Sequence, residues 1–402
     1  MTDAKRAINV KSEDEKERFH PLGEYVWPNA PLDRGLKRLL ASLVKRFRED
    51  VDEDCVDESR LVTVERSRLD QFVATPTSAT LATELDATLS NWLADDASDT
   101  SQVGSSRSHL QTIVLPPCDG NDFLRGWAIN RGHLVVEPPS RDALVCPNDF
   151  PGKGYADSDI LVIPRLEDWF LRHDSGLAGI RELVARLAVS KHRWLIGCNA
   201  WAWQFLVKSC HIDATLTDPL VPAAFDADRL RDWLEGLSRR DDGVKYRFRL
   251  ASSGKDVFSN PGEQDGADKD TMAELAEECF GIPWVAWHVW RSSLRTTSEP
   301  AGTGGDDERQ KTFWITGFRH VGTLQGLHRD ELLVLHTLLV HGHLPTADIS
   351  RTVPIPQHTN PVGALVKLGL IEEIDGLHAC VPAAYPAIRQ RLEEAGFPMD
   401  VL

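Results

Sequence analysis

A short apolar run, Ile113 to Leu115, is followed by Pro116-Pro117-Cys118-Asp119-Gly120-Asn121-Asp122 and then by an apolar stretch with helical spacing, Phe123 to Ile129. Strand, tight loop and helix in that order bring backbone N–H groups to a helix N-terminus, where a phosphate can be held. A working loop of the pattern G-x-x-x-x-G-K-[ST] adds a lysine for the β/γ charge and a hydroxyl for Mg²⁺. Here Gly120 is kept, but Asn121 stands at the lysine position and Asp122 at the hydroxyl position. The loop has lost a cation and gained an anion beside the place a triphosphate would occupy.

A second position carries the same message. Hydrolysis of a nucleotide needs a neighbouring strand that ends in two acids, one to hold Mg²⁺ and one to polarise water. The strand-like run Asp159 to Ile163 ends instead in Pro164-Arg165, and neither residue can do either task. Acids return only at Glu167 and Asp168, where they open the next segment. A third run, Trp194 to Gly197, leads through Cys198 to Asn199, just before a helical stretch starting at Ala200. Asn199 can cap that helix.

The elements that would position these residues are legible from periodicity. Short apolar runs at 113–115, 133–136, 160–163 and 194–197 alternate with helical stretches at 122–130, 177–189 and 200–208, the pattern of a parallel sheet with helices on its faces. Before it, a helix with a basic face is expected at 33–48 (Arg34, Lys37, Arg38, Lys45, Arg46, Arg48) and another at 77–93, followed by a Ser, Asp and Gly-rich linker. The basic helix could rest on a membrane surface or an acidic partner. The acids that follow, Glu49 to Asp54, favour packing on its own domain. Beyond the sheet, 227–238 and 271–294 read as helical. After a Gly, Asp and Thr-rich stretch come helices at 330–341, 346–351 and 360–368 and two strands, 370–374 and 377–381, meeting at Asp375-Gly376, a hairpin signal.

Composition excludes several classes. The net charge of −16 disfavours nucleic acid and anionic membranes. No run approaches the apolar length of a spanning helix, and the charged N-terminus lacks a signal-peptide core, so a cytoplasmic protein is expected. Seven scattered cysteines (55, 118, 146, 198, 210, 279, 380) without a C-x-x-C pair argue against zinc and disulfides. Trp201, Trp203, Trp284, Trp287 and Trp290 are expected as packing anchors, and His336, His341 and His343 as packing and capping residues, not metal ligands. Gly152-Lys153-Gly154 precedes a strand and Ser253-Gly254-Lys255 lies in a polar loop without a preceding strand, so neither is read as a phosphate site.

Taken together, Val114 to Asp122, Ile160 to Arg172, Trp194 to Phe205, Gly281-Ile282-Pro283-Trp284-Val285-Ala286 and the C-terminal helices with their hairpin resemble the AAA+/STAND class of P-loop ATPases, over roughly residues 110 to 402. The resemblance puts the family's first glycine on Leu115, its central glycine on Cys118, its lysine on Asn121, its Ser/Thr on Asp122 and its metal and water acids on Pro164 and Arg165. It offers Asn199 a second reading, as a γ-phosphate sensor. Gly281-Ile282-Pro283 takes the place of the lid motif, and Arg172 and Arg291 fall where arginines of the fold could be retained, with surface salt bridges the plainer reading. The expected architecture is α/β: a helical N-terminal region (1–108), a degenerate P-loop NTPase-like parallel core (109–222), a helical lid (223–295), a linker (296–311) and a winged helix (312–402). The nucleotide-site residues are then Cys118, Asp119, Gly120, Asn121, Asp122 and Asn199, in a site expected to hold neither ATP nor Mg²⁺ for catalysis. The expected role is a non-hydrolysing scaffold or regulatory subunit whose partner is a protein, an active AAA+-like relative among the candidates, in the signalling and anti-phage defence settings the wider family serves. An ATP-binding switch and a winged-helix DNA-binding regulator are the alternatives, the latter disfavoured by the acids Glu372, Glu373 and Asp375 around the hairpin.

Overall fold

The computed structural model describes residues 18–28, 56–94, 109–119, 122–145, 160–239, 244–259, 270–297, 310–318, 324, 326–354 and 359–402. The basic helix expected at 33–48, the linker after residue 94, Gly120 and Asn121, Cys55 and Cys146, the Gly152-Lys153-Gly154 segment and most of the 296–311 linker lie outside these residues.

The strands in chain order are β1 (Phe19–Pro21), β2 (Leu61–Thr63), β3 (Leu110–Leu115), β4 (Leu134–Val135), β5 (Ile160–Ile163), β6 (Arg193–Asn199), β7 (Leu220–Pro222), β8 (Lys245–Leu250), β9 (Leu294–Thr297), β10 (Gln310–Ile315), β11 (His343–Leu344), β12 (Ile371–Ile374) and β13 (Leu377–Cys380). The main sheet has the order β1-β7-β3-β6-β5-β4. From β7 to β4 every neighbour is parallel, and β1 closes one edge antiparallel to β7. Its strands are near-continuous apolar runs because helices cover both faces. Successive residues point to opposite faces. Ile113, Val162 and Leu195 meet the helices Ala79–Ala94 and Phe123–Arg131, while Val114, Leu161, Ile163, Ile196 and Cys198 meet those at Ala178–Ala188 and Ala200–Cys210.

Local chemistry sets the boundaries. The helix Phe123–Arg131 ends at Gly132, whose φ of 71° is the left-handed cap conformation. Asp226, Asp270 and Asn360 cap the helices Ala227–Ser238, Thr271–Glu278 and Pro361–Lys367 with side-chain oxygens on the N–H groups of Arg229, Met272 and Gly363. The helical stretch expected over 271–294 is two helices, broken where Phe280 and Gly281 adopt φ of 58° and 66° and Pro283 starts the second, Pro283–Ser293. A side chain on Gly281 would lie 2.7 Å from the Ala224 Cβ, so the break is also a close approach to the segment after β7.

Two features depart from the expectation. A second sheet, β2-β9-β10-β8, combines segments assigned above to the N-terminal region, the helical lid and the C-terminal part. Within it β8 and β10 run parallel, Phe248 opposite Phe313. The turn Ser253-Gly254-Lys255 follows β8 directly, so it does have a preceding strand, but the chain folds back on that strand through the Arg249–Asp256 bridge instead of entering a helix. At the C-terminal end, helices Arg329–His341, Thr346–Thr352 and Pro361–Lys367 precede the hairpin of β12 and β13, turning at Asp375 and Gly376 with φ of 52° and 78°. The two-residue strand β11 pairs with β13 to make this a three-stranded sheet, and the helix Tyr385–Glu394 closes the chain.

Candidate functional site

The loop after β3 reaches the described residues at Cys118, Asp119 and Asp122. Cys118 and Asp122 have φ of 67° and 44°, the left-handed region that side chains other than glycine seldom adopt. Burial first, then the charges of Asp119 and Glu372, push the Cys118 thiol up to about 12, so it stays protonated and is no nucleophile. Asp119 turns a carboxylate oxygen onto the Phe123 N–H at 3.4 Å. At the helix N-terminus, where a phosphate would sit, the chain has placed an anion of its own. Asp122 accepts from Arg125 Nε at 2.7 Å, and the same guanidinium forks onto Glu137 at 2.5 and 2.9 Å. That bond holds the Glu137 carboxyl below its ordinary range.

Beyond β5 the chain makes a short 3₁₀ turn, Leu166–Trp169, which swings Glu167 back under the strand ends. Glu167 is 3% exposed, and its carboxylate accepts the Asn199 N–H at 3.1 Å, at the end of β6. The late acid therefore does return to the sheet edge, where it meets a guanidinium. Arg165 Nη2 lies 3.4 Å from Glu167 Oε1, and its Nε lies 3.4 Å from Asp168 Oδ2. Asp168 also accepts from Arg141 at 3.1 Å. Burial lowers the Arg165 pKa, but Glu167, Asp168, Asp122 and Asp119 outweigh it and leave the group firmly charged. Burial raises the Glu167 pKa, with Arg165 pulling the other way.

Asn199 forms the helix cap. Its Oδ1 accepts the Ala202 N–H at 2.8 Å and its Nδ2 donates to the Val340 carbonyl at 3.1 Å, so both ends of the amide are engaged. Val340 belongs to the helix Arg329–His341, which lies across the carboxyl ends of the strands. The Arg172 N–H donates to His341 Nε2 at 3.3 Å, and His341 Nδ1 lies 3.4 Å from the Glu167 carbonyl. Arg172 Nη1 reaches Thr337 Oγ1 at 3.3 Å and His336 Nδ1 at 3.2 Å. Burial drives the pKa of His336 down to about 4 and of His341 down to about 3, so both rings are neutral. The surface salt bridge read for Arg172 is replaced by these neutral partners, and burial lowers its pKa. Arg291 does make its salt bridge, to Asp70 at 2.5 Å. His343 brings β11 alongside, its Nδ1 3.5 Å from Arg165 Nη2, and at Gly342 a Cβ would come within 2.4 Å of that nitrogen.

The donor set does not fit Mg²⁺ and a triphosphate. A divalent cation needs carboxylates directed at open space, whereas Glu167 and Asp168 are held by arginines and the loop beyond offers Asp119 and Asp122. Among the described residues no group of three or more His, Cys, Asp or Glu is placed to hold a metal ion, and no helix is long and apolar enough to cross a membrane.

Beside the loop lies a small cleft with about 20 Å³ of room, enough for about one water. Phe19 of β1, Tyr25, Phe123, the Pro222–Phe225 segment after β7, Pro283 and Trp284 form its walls, and Asp119 lies at its polar side. It opens outside the carboxyl ends of β3 and β7, where crevices of parallel sheets take ligands. Of the residues singled out in the sequence, Asp119, Trp284 and the Gly281 break meet here, while Asn199 belongs to the covered strand ends. Arg165, Arg141 and His343 were not singled out as site residues. Pro164-Arg165 was legible as a strand end without acids, but nothing local announces that the arginine becomes the resident cation, since its partners come from three segments.

No family model and no curated protein matches the sequence. Among solved structures the chain is similar to Cdc6p from Pyrobaculum aerophilum, at 11% identity and a TM-score of 0.30 over 84% of this chain and 100% of that one. It is also similar to the Orc2 protein of Aeropyrum pernix, solved as ADPNP-ADP complexes, at 12% identity and a TM-score of 0.34 over 86% and 98% of the two chains.

Proposed function

We propose that this chain is a pseudo-ATPase of AAA+/STAND type, with a C-terminal winged helix, that acts as a scaffold or regulatory subunit through protein contacts. One observation carries the reading: the charges that would handle Mg²⁺-nucleotide are reversed in sign and satisfied within the chain. Acids stand on the loop, Arg165 stands at the end of β5, and the helix Arg329–His341 is bonded to the strand ends through Val340 and His341. On the winged helix, the exposed apolar side chains Val366, Leu368 and Ile374 lie close in sequence to Glu372, Glu373 and Asp375. Such a surface suits a protein better than a phosphate backbone. The partner proposed is an active relative, because a non-hydrolysing subunit can still complete an interface.

The test has two parts. Millimolar ATP with Mg²⁺ should leave the melting temperature unchanged and release no phosphate, since a ligand that binds the native state raises stability by RT ln(1 + [L]/Kd). Affinity capture from the source cell should recover an ATPase whose turnover changes when this chain is added back; a chain that alters no ATPase would sink the scaffold reading. The second reading, an ATP-binding switch, draws on the strand, loop and helix order of β3 and Phe123–Arg131 and predicts a clear ATP-dependent shift.

A further inference from the structure

The last helix, Tyr385–Glu394, stops before Gly396, whose φ of 75° lets the Phe397 N–H reach back to the Leu392 carbonyl at 2.9 Å. From there residues 397–402 return along that helix with no helix or strand of their own. Side chains do most of the holding. The Phe397 ring lies 5.4 Å from the His336 ring, and His336 Nε2 donates to the Pro398 carbonyl at 3.2 Å. Phe397, Met399, Val401 and Leu402 rest, partly buried, against the main core.

Asp400 makes the second anchor. Its side chain is 1% exposed and pairs with Arg389, and its other oxygen accepts the Tyr385 hydroxyl at 3.3 Å. Arg389 is held in turn by aromatic faces: its guanidinium carbon lies 4.6 Å from the Trp27 ring centre, 5.4 Å from Phe280 and 5.9 Å from Trp201. One guanidinium therefore gathers the segment 18–28, the helix after β6 and the break before Pro283, and Asp400 ties the tail to all of them. Tyr385 also takes the Trp201 indole N–H. The residues that anchor the tail, His336 and Tyr385, are thus the ones that hold the C-terminal helices to Trp201.

A buried carboxylate on a fixed turn, such as Glu167, must stay where it is when its partner goes. Asp400 need not, because a segment without a hydrogen-bonded ladder can swing out and take its charge to water. We propose that residues 397–402 form a releasable strap, locked by Asp400 on Arg389, which sets whether the seam between the helix Arg329–His341 and the helix after β6 is closed or open. With the strap on, His336 is covered and the C-terminal helices are pinned over the strand ends. With it off, water reaches His336 and the Trp201–Tyr385 contact, and the helices loosen without the chain unfolding. A scaffold could be regulated in this way, and the geometry of the strap does not depend on what the chain assembles with.

Asp400→Lys in the full chain sets a second cation against Arg389 and should expel the strap. Thermolysin, which cuts beside apolar residues, should then cleave within 397–402 about tenfold faster than in the parent chain under native conditions, because cleavage follows the open population. Amide exchange should rise by a similar factor in the helices Arg329–His341 and Ala200–Cys210 and stay unchanged in Ala79–Ala94, with a cooperative thermal transition retained. Phe397→Ala, which weakens the other anchor and leaves the ion pair, should give the same pattern at smaller amplitude. Unchanged cleavage in both variants, or faster cleavage with unchanged exchange in the two helices, would overturn the proposal. So would loss of cooperative unfolding in both, since the segment would then be part of the core. An ATP-dependent shift in melting temperature bears only on the pseudo-ATPase reading, so the two ideas can fail independently.

Discussion

At the scale of single residues, the edge of the sheet is decided by the contact between Arg165 and Glu167. Breaking a buried ion pair by removing one partner strands the other charge and costs about 3–5 kcal/mol. Arg165→Met should fall near the lower figure, because Glu167 keeps the Asn199 N–H. The loss should depend on pH in a defined sense. Glu167 has a folded pKa raised above its ordinary value, so between the two values the native state holds a proton that the unfolded state has released. Stability from this group is therefore present at low pH and lost as pH rises through the folded value. Removing Arg165 takes away the main influence pulling that pKa down and widens the window. Urea unfolding of Arg165→Met at pH 7 and pH 5 should show most of the deficit at pH 7 and much of it regained at pH 5; an equal deficit at both would mean Glu167 is not the stranded charge. The pair also marks what one position can and cannot tell. Pro164-Arg165 excluded acid chemistry from residue type alone, but the arginine's partners, Glu167, Asp168 and His343, converge only through the turn at 166–169 and the return of β11.

At the scale of elements, the helix Arg329–His341 is held to the core through two histidines kept neutral by burial. Their folded pKa values, about 4 and about 3, lie below the ordinary 6.5. The unfolded chain therefore binds more protons below pH 6.5, and stability falls as pH falls through that window. Two such groups give a limiting slope of about 2.7 kcal/mol per pH unit, at about 1.36 for each proton. Glu167 opposes it by up to one proton. The net should be a loss of about 1–2 kcal/mol between pH 6 and pH 5, read from urea midpoints, and His336→Gln should flatten that slope by about one proton's worth. A slope unchanged in His336→Gln would place the titration elsewhere. Strand geometry supplies a second prediction. A Cβ on Gly197 in β6 would come within 2.1 Å of the Pro164 carbonyl and 2.7 Å of Leu124, so Gly197→Ala should destabilise by about 3 kcal/mol or more, measured by thermal unfolding. The elements themselves were unequally legible. Long runs with one clear period, such as 227–238 and the parallel strands, matched the periodicity closely. The sheet β2-β9-β10-β8 did not: its strands come from separate stretches of the chain and gain stability only when paired. Tyr246, Phe248 and Leu250 do alternate with Arg247 and Arg249, a period-2 signal within a region otherwise read as helical.

At the scale of the whole molecule, a single hydrophobic cluster runs from Val64 and Leu69 through the sheet and the Pro283–Ser293 helix to Tyr385, Ile388 and Leu392. Trp201, in the helix after β6, ties the C-terminal helices to the sheet, donating its indole N–H to the Tyr385 hydroxyl at 3.3 Å and meeting the His336 ring edge-on at 5.7 Å. Phe170 packs against both Phe205 and His341. The C-terminal helices therefore complete the core, and they do so at the carboxyl ends of the strands. An autonomous appendage could be removed without harm to the rest, while a completing unit could not. A chain ending at residue 318 should lose the partners of Trp201, Phe170, Asn199 and Arg172 at once, leaving buried aromatic and polar groups without cover. Such a chain should fail to show a cooperative thermal transition and should lose the near-ultraviolet dichroism of its packed tryptophans, and the full-length protein should unfold in one step. A truncated chain that stays folded with its tryptophan signal intact would mean the C-terminal helices rest on the sheet edge without supporting it, and the closed strand ends would then have to be explained by the Arg165 network alone.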